Sequence, residues 1–117
     1  MSFGSAWLSD QSAAAAEGIN AASRTRQAFE LILEERRRQI AEWGDQSNIS
    51  PFEFMSILGE EFGELCQAVN ETVFVNPKHP ERGGDGAIIR EAVQVAAVAA
   101  QIIEACMDGR REEAGET

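Results

Sequence analysis

Three glutamates, Glu60, Glu61 and Glu64, lie within five residues of one another in a segment whose apolar spacing predicts a helix. On a helix that turns about 100° per residue, their side chains fall within one arc of roughly 100°. Like charges three and four residues apart repel each other and weaken a helix. Their retention on a face that must also be buried indicates that a cation binds there, and carboxylate oxygens are the ligands that hard divalent ions prefer.

A helical wheel separates the three acids. The apolar residues of the segment fill one arc of the wheel; they are Phe54, Met55, Ile57, Leu58, Phe62, Leu65, Cys66, Ala68 and Val69. Glu61 lies inside that arc, Glu64 lies just outside it, and Glu60 lies further out. A carboxylate on an apolar face must be paired, protonated or bound to a metal, because burying it bare is very costly. Glu60 is equally compatible with an ordinary surface acid.

Glu91 shows the same anomaly in a later apolar segment, where it falls among Val95, Val98 and Ile102. Gln94 lies one turn along, on the flank of that face. Two embedded acids on separate helices that face each other predict a divalent-metal site built from oxygen ligands. The alternative is a pair of interior acids neutralised by arginine, for which Arg36, Arg38 and Arg90 are the available partners.

Three long helices must position these acids. The first is predicted over residues 23–42 and ends at Gly44. The second begins at Pro51, after Ser50 in a capping-box pattern with Glu53, and runs to about residue 72. A loop with several prolines and glycines fills residues 76–86, and the last helix extends from there to Gly109. No strand pattern of any length is present, so the predicted class is all-α, a helical bundle of three long helices plus short ones.

The last helix is apolar nearly all round, with only a narrow polar stripe, and such a helix is buried on most sides. A chain of 117 residues has few other elements with which to surround it. We therefore expect oligomerisation to complete the bundle, as a homodimer or homotetramer. The alternative is a monomer in which the N-terminal segment covers this helix. The predicted domains are an Ala/Ser-rich extension (1–22), a helical domain (23–109) and an acidic tail (110–117).

Composition narrows the partners. The net charge of −10 argues against binding duplex nucleic acid through a basic surface, but it permits a phosphorylated small molecule that a metal ion bridges to acidic protein. The sequence contains no run of 18 or more apolar residues, so no membrane span is predicted. Its first residues lack the pattern of a signal peptide. Cys66 and Cys106 are expected to be small buried side chains in a reducing environment, so the predicted location is cytoplasmic.

Together these residues resemble the MazG-type nucleotide pyrophosphohydrolases, the all-α NTP pyrophosphatases, over residues 29–107. The family pattern is Glu-Glu-x-x-Glu followed, on a later helix, by Glu-x-x-Asp. Residues 60–64 match the first half, and Glu91 matches the start of the second. The upstream Arg-Arg-Arg-Gln stretch (36–39) and Trp43-Gly44 are also similar to the family. The departure is Gln94, which stands where the family has aspartate.

The resemblance implies cleavage of a nucleoside triphosphate between the α and β phosphates, giving a monophosphate and pyrophosphate. It implies Mg²⁺ as cofactor, with Mn²⁺ as a substitute, and Glu61, Glu64 and Glu91 as metal ligands. Glu60 and Glu61 are the predicted catalytic acids, with Glu60 either a ligand or the group that orients the attacking water. Gln94 keeps an amide oxygen that binds a hard cation more weakly than a carboxylate does. It is predicted as a further ligand.

Substrate contacts are predicted from residue type. Arg38, Lys78 and Arg82 are candidate phosphate-binding residues, although such residues are more often ordinary surface charges. Trp43 is a candidate for stacking on a nucleobase, since any base offers a π face, or else a packing residue at a helix end.

Two other metal-binding classes fit poorly. A di-iron bundle needs Glu-x-x-His pairs, and His79 is the only histidine; no EF-hand loop pattern is present. The alternative from a different class is a non-catalytic helical oligomer that acts as a binding or regulatory module. Gln94 favours that alternative, whereas the embedded Glu61 and Glu91 argue against it, because a purely structural bundle gains little from interior acids.

Overall fold

The computed structural model describes residues 3–108, with side chains from Ala13 to Met107. The elements are three α-helices, α1 (Phe3–Trp43), α2 (Pro51–Val73) and α3 (Asp85–Asp108), and a short 3-10 helix at Pro80–Arg82. The described residues contain no strand, which confirms the all-α class. The acidic tail predicted for residues 110–117 and the predicted stop at Gly109 lie outside the described residues.

Helix α1 begins much earlier than its sequence pattern indicates. The expected start was near Ser23, after an extension with only a short helix, but the helix is continuous from Phe3. Alanines dominate residues 13–22 and have the highest helix propensity of any residue, which explains how the helix continues through a stretch with no apolar periodicity. The chain divides into two compact units, Met1–Leu31 and Ile32–Thr117. In the first unit, residues 13–31 are all exposed.

The end of α1 and the start of α2 lie where the sequence predicts them. Gly44 adopts the left-handed conformation, with φ of 75°, and its amide donates to the carbonyl of Ile40 at 2.8 Å. The hydroxyl of Ser50 accepts from the amide of Phe52, while the Glu53 carboxylate accepts from the amide of Ser50. This reciprocal capping box, followed by Pro51 at the first helical position, confirms the predicted start of α2.

The core of the second unit lies between α2 and α3. Phe54, Val98 and Ala105 are buried together, and Ile49, Leu58 and Ile102 pack around them. Three further alanines, Ala68, Ala87 and Ala97, are buried and let the helices approach closely. The C-terminal part of α1 joins α3 through a polar contact, in which Arg36 makes two hydrogen bonds to the Glu104 carboxylate, at 3.0 and 2.6 Å.

Helix α3 also satisfies the length and hydropathy of a membrane-spanning helix over Asp85–Met107. One such helix is weak evidence for a membrane, because the core helix of a soluble protein satisfies the same criterion. Its side chains Ala97, Val98 and Ala105 are buried within the second unit. Ile89, Ile103 and Met107 of α3 are exposed in the single chain, and the expected covering of this helix by a second copy stays a prediction.

Neighbouring parts of the chain cover only part of the apolar arc of α2. Its inner half, which includes Phe54, Leu58 and Ala68, is buried or half-buried. Its outer half is exposed, and we call it the outer stripe of α2. The stripe alternates spacings of three and four residues; its members are Phe52, Met55, Gly59, Phe62, Cys66, Val69 and Val73. The expected burial of Cys66 and Cys106 is wrong, because both thiols are exposed.

The connection from α2 to α3 makes a close approach at Gly83. A Cβ there would overlap the backbone carbonyl of Glu71 and would lie 2.8 Å from the amide nitrogen of Thr72. The next residue, Gly84, has φ of 98°, and its amide donates to the Thr72 hydroxyl at 2.7 Å. Because only glycine fits both positions, the loop lies against the end of α2 and carries Arg82 towards Glu71.

Candidate acidic site

Glu61, Glu64 and Glu91 form one cluster between α2 and α3. Each offers a carboxylate oxygen, and these oxygens all lie within 4.8 Å of one another. Glu61 and Glu91 are partly buried, as the apolar faces predicted, while Glu64 is exposed. We call these three residues the acidic triad. Helical spacing explains the arrangement, since residues three apart on α2 share a face and Glu91 meets them from α3.

Within the described residues, the ion pair of the triad joins Arg90 Nε to Glu91 Oε1 at 3.6 Å, so the three carboxylates carry more charge than one cation balances. Two carboxylate charges 4.8 Å apart repel by about 1 kcal/mol in water and by about 3 kcal/mol at an effective dielectric constant of about 20. Burial raises the pKa of the Glu61 carboxyl, and the charges of Glu64 and Glu91 raise that pKa further. One oxygen of Glu61, Oε2, is buried without a hydrogen-bond partner. An unpaired buried polar atom costs stability, which makes Glu61 Oε2 a candidate ligand atom for a cation.

The arginines that were candidates to neutralise the interior acids do so only slightly. Arg36 pairs with Glu104 at 2.6 Å. Arg38 donates to Glu35 at 2.9 and 2.7 Å and to Glu42 at 2.6 Å. Arg90 comes nearest, with its Nε 3.6 Å from Glu91 Oε1, which is too long for a hydrogen bond.

Glu60 stands apart from the triad. Its side chain is exposed on α2. Its charge raises the pKa of the Glu61 carboxyl less than burial and the charges of Glu64 and Glu91 do. The wheel position outside the apolar arc predicted that exposure. Its predicted role in orienting water stays a prediction.

Gln94 contacts a different acid. Its side chain interacts with Glu35 and helps, after the larger contribution of Arg38, to lower the pKa of the Glu35 carboxyl to about 2. Gln39 also donates to Glu35, at 3.1 Å. The amide of Gln94 thus has a partner on α1, and its predicted role as a metal ligand stays a prediction.

Two cavities border the triad. The first has a volume of about 380 Å³ and contains both signs of charge, so we call it the arginine cavity; it is lined by Glu64, Gln67, Ala68, Glu71, Arg82, Arg90 and Glu91. The second has about 260 Å³ and combines amides with apolar side chains, so we call it the amide cavity; it is lined by Gln39, Trp43, Gln46, Phe54, Ile57, Glu61, Gln94, Val98 and Gln101. Members of the triad line both.

The predicted substrate residues are distributed unevenly around these cavities. Trp43 lines the amide cavity and is half exposed, with the guanidinium of Arg38 5.5 Å from its ring centre. Arg38 lines neither cavity, and its donors are engaged with Glu35 and Glu42. Lys78 is exposed in the loop and lines neither cavity. Arg82 lines the arginine cavity.

The sequence reading missed Glu71. Its side chain is only 15% exposed, its Oε2 is buried without a hydrogen-bond partner, and Oε1 lies 3.9 Å from Arg82 Nη1. The signal was available, since Glu71 lies seven residues after Glu64 and therefore on the same face of α2. The amides of Gln39, Gln46 and Gln101 were also missed, because residues far apart in the sequence meet only through tertiary contacts, such as those of Arg36 with Glu104 and of Gln101 with Gln46.

Comparison with protein-family models, with curated protein sequences and with solved structures finds no match to this chain.

Proposed function

We propose that this protein is a Mg²⁺-dependent nucleoside triphosphate pyrophosphohydrolase, which cleaves a (d)NTP between the α and β phosphates. The observation that carries the proposal is the partly buried Glu61, whose Oε2 has no hydrogen-bond partner and whose nearest charges are other carboxylates. The spacing of Glu60, Glu61, Glu64 and Glu91, which resembles the MazG-type enzymes, supports the same reaction.

The triad fits a hard divalent ion. Oxygens bound on opposite sides of one ion lie about 4 to 5 Å apart, because each bond is about 2.0 to 2.6 Å long. The triad oxygens lie within 4.8 Å of one another, so small side-chain rotations suffice for Glu61, Glu64 and Glu91 to share an ion. All three donors are carboxylates, which favours Mg²⁺ or Mn²⁺ over ions that prefer nitrogen or sulfur.

The reaction is a hydrolysis. Bound Mg²⁺ would supply positive charge that stabilises the phosphates and the leaving group, and would lower the pKa of an attacking water. The oxygen of that water joins the α phosphorus while the bond from the α phosphorus to the bridging oxygen breaks. The electron pair leaves with pyrophosphate, and a carboxylate accepts the proton of the water. Glu60 and Glu61 are the candidate acceptors, with Glu60 free to orient the water because its side chain is exposed.

The amide cavity supports a nucleotide rather than a simple polyphosphate. Four glutamine amides line it; they are Gln39, Gln46, Gln94 and Gln101. Gln39 is already bonded to Arg36 and Glu35, and Gln101 donates to Gln46 at 3.3 Å, so the donors of Gln46 and the acceptor of Gln101 are not used in these bonds. Such groups suit the edge of a nucleobase, and Trp43 at the same cavity offers an aromatic face for stacking. The volume of about 260 Å³ is open enough for part of a small molecule.

The proposed assembly is a homodimer or homotetramer in which a second copy covers the outer stripe of α2. Alternating spacings of three and four residues form the seam of packed helix pairs. Phe52 and Phe62 are 73% and 59% exposed in that stripe, a large amount of aromatic surface to leave in water. The stripe lies on the side of α2 away from the acids, so a partner there leaves the triad open to substrate.

A panel of nucleoside triphosphates, each assayed for pyrophosphate release with and without Mg²⁺ or Mn²⁺, tests the proposal. The full-length chain should release pyrophosphate from at least one of them only when the ion is present, and Glu61→Gln and Glu91→Gln should reduce the release by roughly 100-fold or more. Glu34→Gln is the matched control, because Glu34 is an exposed acid on α1. If no nucleotide is cleaved and no divalent ion binds, the enzyme proposal fails and the binding or regulatory module remains.

A further inference from the structure

The arginine cavity has a feature that the proposed metal site does not use. It combines two triad carboxylates, Glu64 and Glu91, with two guanidinium groups, Arg82 and Arg90. A cavity built only to hold a cation has no use for arginines, since they compete with the ion for the same carboxylates. A ligand that pairs an anion with a bound cation fits both the carboxylates and the guanidinium groups of this cavity.

Neither arginine of this cavity is held by a close ion pair. Arg82 Nη1 is 3.9 Å from Glu71 Oε1, and Arg90 Nε is 3.6 Å from Glu91 Oε1. Both distances exceed a hydrogen bond, whereas Arg36 and Arg38 make ion pairs of 2.6 to 2.7 Å. The Arg82 and Arg90 side chains are 46% and 63% exposed, so their donors can turn to a ligand without opening the core.

We infer that Arg82 and Arg90 bind the β and γ phosphates of the substrate, and that the arginine cavity holds the pyrophosphate half of a nucleoside triphosphate. This inference rests on the proposed function. Guanidinium groups present a planar fork of donors that matches phosphate oxygens, and they stay charged at every physiological pH. The inference also orients the substrate, because the amide cavity borders the triad through Glu61 while the arginine cavity borders it through Glu64 and Glu91.

Glu71 acts as a positioning residue for Arg82. Its side chain is nearly buried at the wall of the cavity and lies 3.9 Å from Arg82, close enough to attract the guanidinium without taking its donors. Gly83 secures this arrangement, since only a residue without a Cβ lets the loop lie against the backbone of Glu71. The α2–α3 loop thereby brings a cation that is distant from the triad in sequence to its edge.

The arrangement predicts selectivity for the length of the phosphate chain. A nucleoside triphosphate reaches both arginines, a diphosphate reaches fewer of their donors, and a monophosphate leaves the cavity empty. Each charge-assisted contact contributes about 1.5 to 3 kcal/mol, so losing both arginines should weaken binding of the phosphate tail by roughly 100-fold or more. The KM for a triphosphate should rise, and its advantage over the diphosphate should fall.

The test uses the full-length chain carrying Arg82→Gln with Arg90→Gln, and inorganic pyrophosphate with Mg²⁺ as the probe. Calorimetry should show Mn²⁺ binding at least as tight as that of the unsubstituted protein, since the triad is intact and Arg90 no longer competes for Glu91, but pyrophosphate binding weaker by roughly 100-fold or more. Arg37→Gln is the matched control, because Arg37 is exposed on α1 and lines neither cavity. Thermal melting confirms that each variant is folded, and Arg82→Lys alone should recover part of the affinity.

The outcomes separate the two proposals. If the double variant binds Mn²⁺ and also binds pyrophosphate as tightly as the unsubstituted protein, the arginine assignment is overturned while the pyrophosphohydrolase proposal stands. If the unsubstituted protein binds no divalent ion and cleaves no nucleotide, the metal site fails and the arginine assignment fails with it. Weaker pyrophosphate binding with Mn²⁺ binding retained supports both.

Discussion

Glu35 and Glu61 are both glutamates on the inner side of a helix, and the chain treats them in opposite ways. Glu35 receives two hydrogen bonds from Arg38 and one from Gln39, and these contacts, with a contribution from Gln94, lower the pKa of its carboxyl to about 2. Burial and the neighbouring carboxylates of Glu64 and Glu91 instead raise the pKa of the Glu61 carboxyl. The two acids differ in their surroundings: Glu35 is paired with a cation of the protein, whereas carboxylates surround Glu61, as expected of an acid proposed to bind a metal ion.

The largest expected effect is the loss of activity when Glu61, and not Glu35, is substituted. Glu61→Gln should reduce pyrophosphate release by roughly 100-fold to 1000-fold, because a neutral amide replaces a carboxylate that holds the ion and its charge at the reacting phosphate. Glu35→Gln should reduce release far less, since Glu35 belongs to a pair with Arg38 outside the triad. Steady-state kinetics on both variants at saturating Mg²⁺ measures the two effects. Equal losses in the two variants would contradict the distinction.

Glu71 is intermediate between the two cases, because the loop gives it one cation at 3.9 Å. Gly83→Ala should remove that cation by forcing the loop away from the Glu71 backbone, at a cost of about 1 to 3 kcal/mol in unfolding free energy. Chemical denaturation checks the loss. Gly63→Ala is the control within α2, where a Cβ meets open space, and it should stabilise the protein by up to about 1 kcal/mol. A neutral Gly83→Ala would show that the loop approach contributes nothing.

Stability without divalent ions should move in opposite directions at the two acids. Glu35→Gln should lower the unfolding free energy by about 1 to 2 kcal/mol, because it weakens charge-assisted hydrogen bonds to Arg38. Glu61→Gln should raise it by about 1 kcal/mol, because it removes an ionised group that has only acids around it. Urea denaturation in the presence of a chelator measures both. A destabilising Glu61→Gln would mean that Glu61 has a structural partner.

The pH dependence gives the smallest and most specific signature. The folded pKa of Glu35 lies below its ordinary value of 4.5, so its contribution to stability is complete above pH 4.5 and is lost as the pH falls towards about 2. The folded pKa of Glu61 lies above 4.5, so its ionisation destabilises the protein at neutral pH, and that penalty disappears as the pH falls to 4.5. Denaturation midpoints of each Gln variant, followed from pH 7 to pH 3, should therefore converge with those of the unsubstituted protein: Glu61→Gln should converge by about pH 4.5, and Glu35→Gln should begin to converge only below pH 4.5.

Local features of the fold follow from the sequence because they depend on neighbours along the chain. Ser50, Pro51 and Glu53 set the start of α2, and Gly44 ends α1. The start of α1 was wrong because alanine propensity extends a helix without the apolar periodicity that marks one. The sequence prediction treated the whole apolar arc of α2 as buried and did not distinguish the outer stripe. A helical wheel shows which residues share an arc, but it does not show how much of that arc a neighbouring helix covers.

The candidate site also has features that the sequence predicts and features that depend on tertiary packing. The partial burial of Glu61 and Glu91 was predictable from their positions on apolar arcs. Which arginine reaches which acid was not, since Arg36 and Glu104 are 68 residues apart and Arg82 meets Glu71 only because Gly83 permits a close approach. Because tertiary packing places the cations of a site, spacing alone did not indicate that Arg82 lies beside Glu71. The substrate roles predicted for Arg38 and Lys78 stay predictions.

Binding of Mn²⁺ by the metal-free protein, measured by calorimetry, tests the central claim most directly. The unsubstituted protein and Glu35→Gln should both bind the ion, and Glu61→Gln should lose that binding by at least about 10-fold. If Glu61→Gln binds Mn²⁺ as tightly as the unsubstituted protein, or if neither binds it, then the acid that the chain leaves without a cation is not a metal ligand and the account is contradicted.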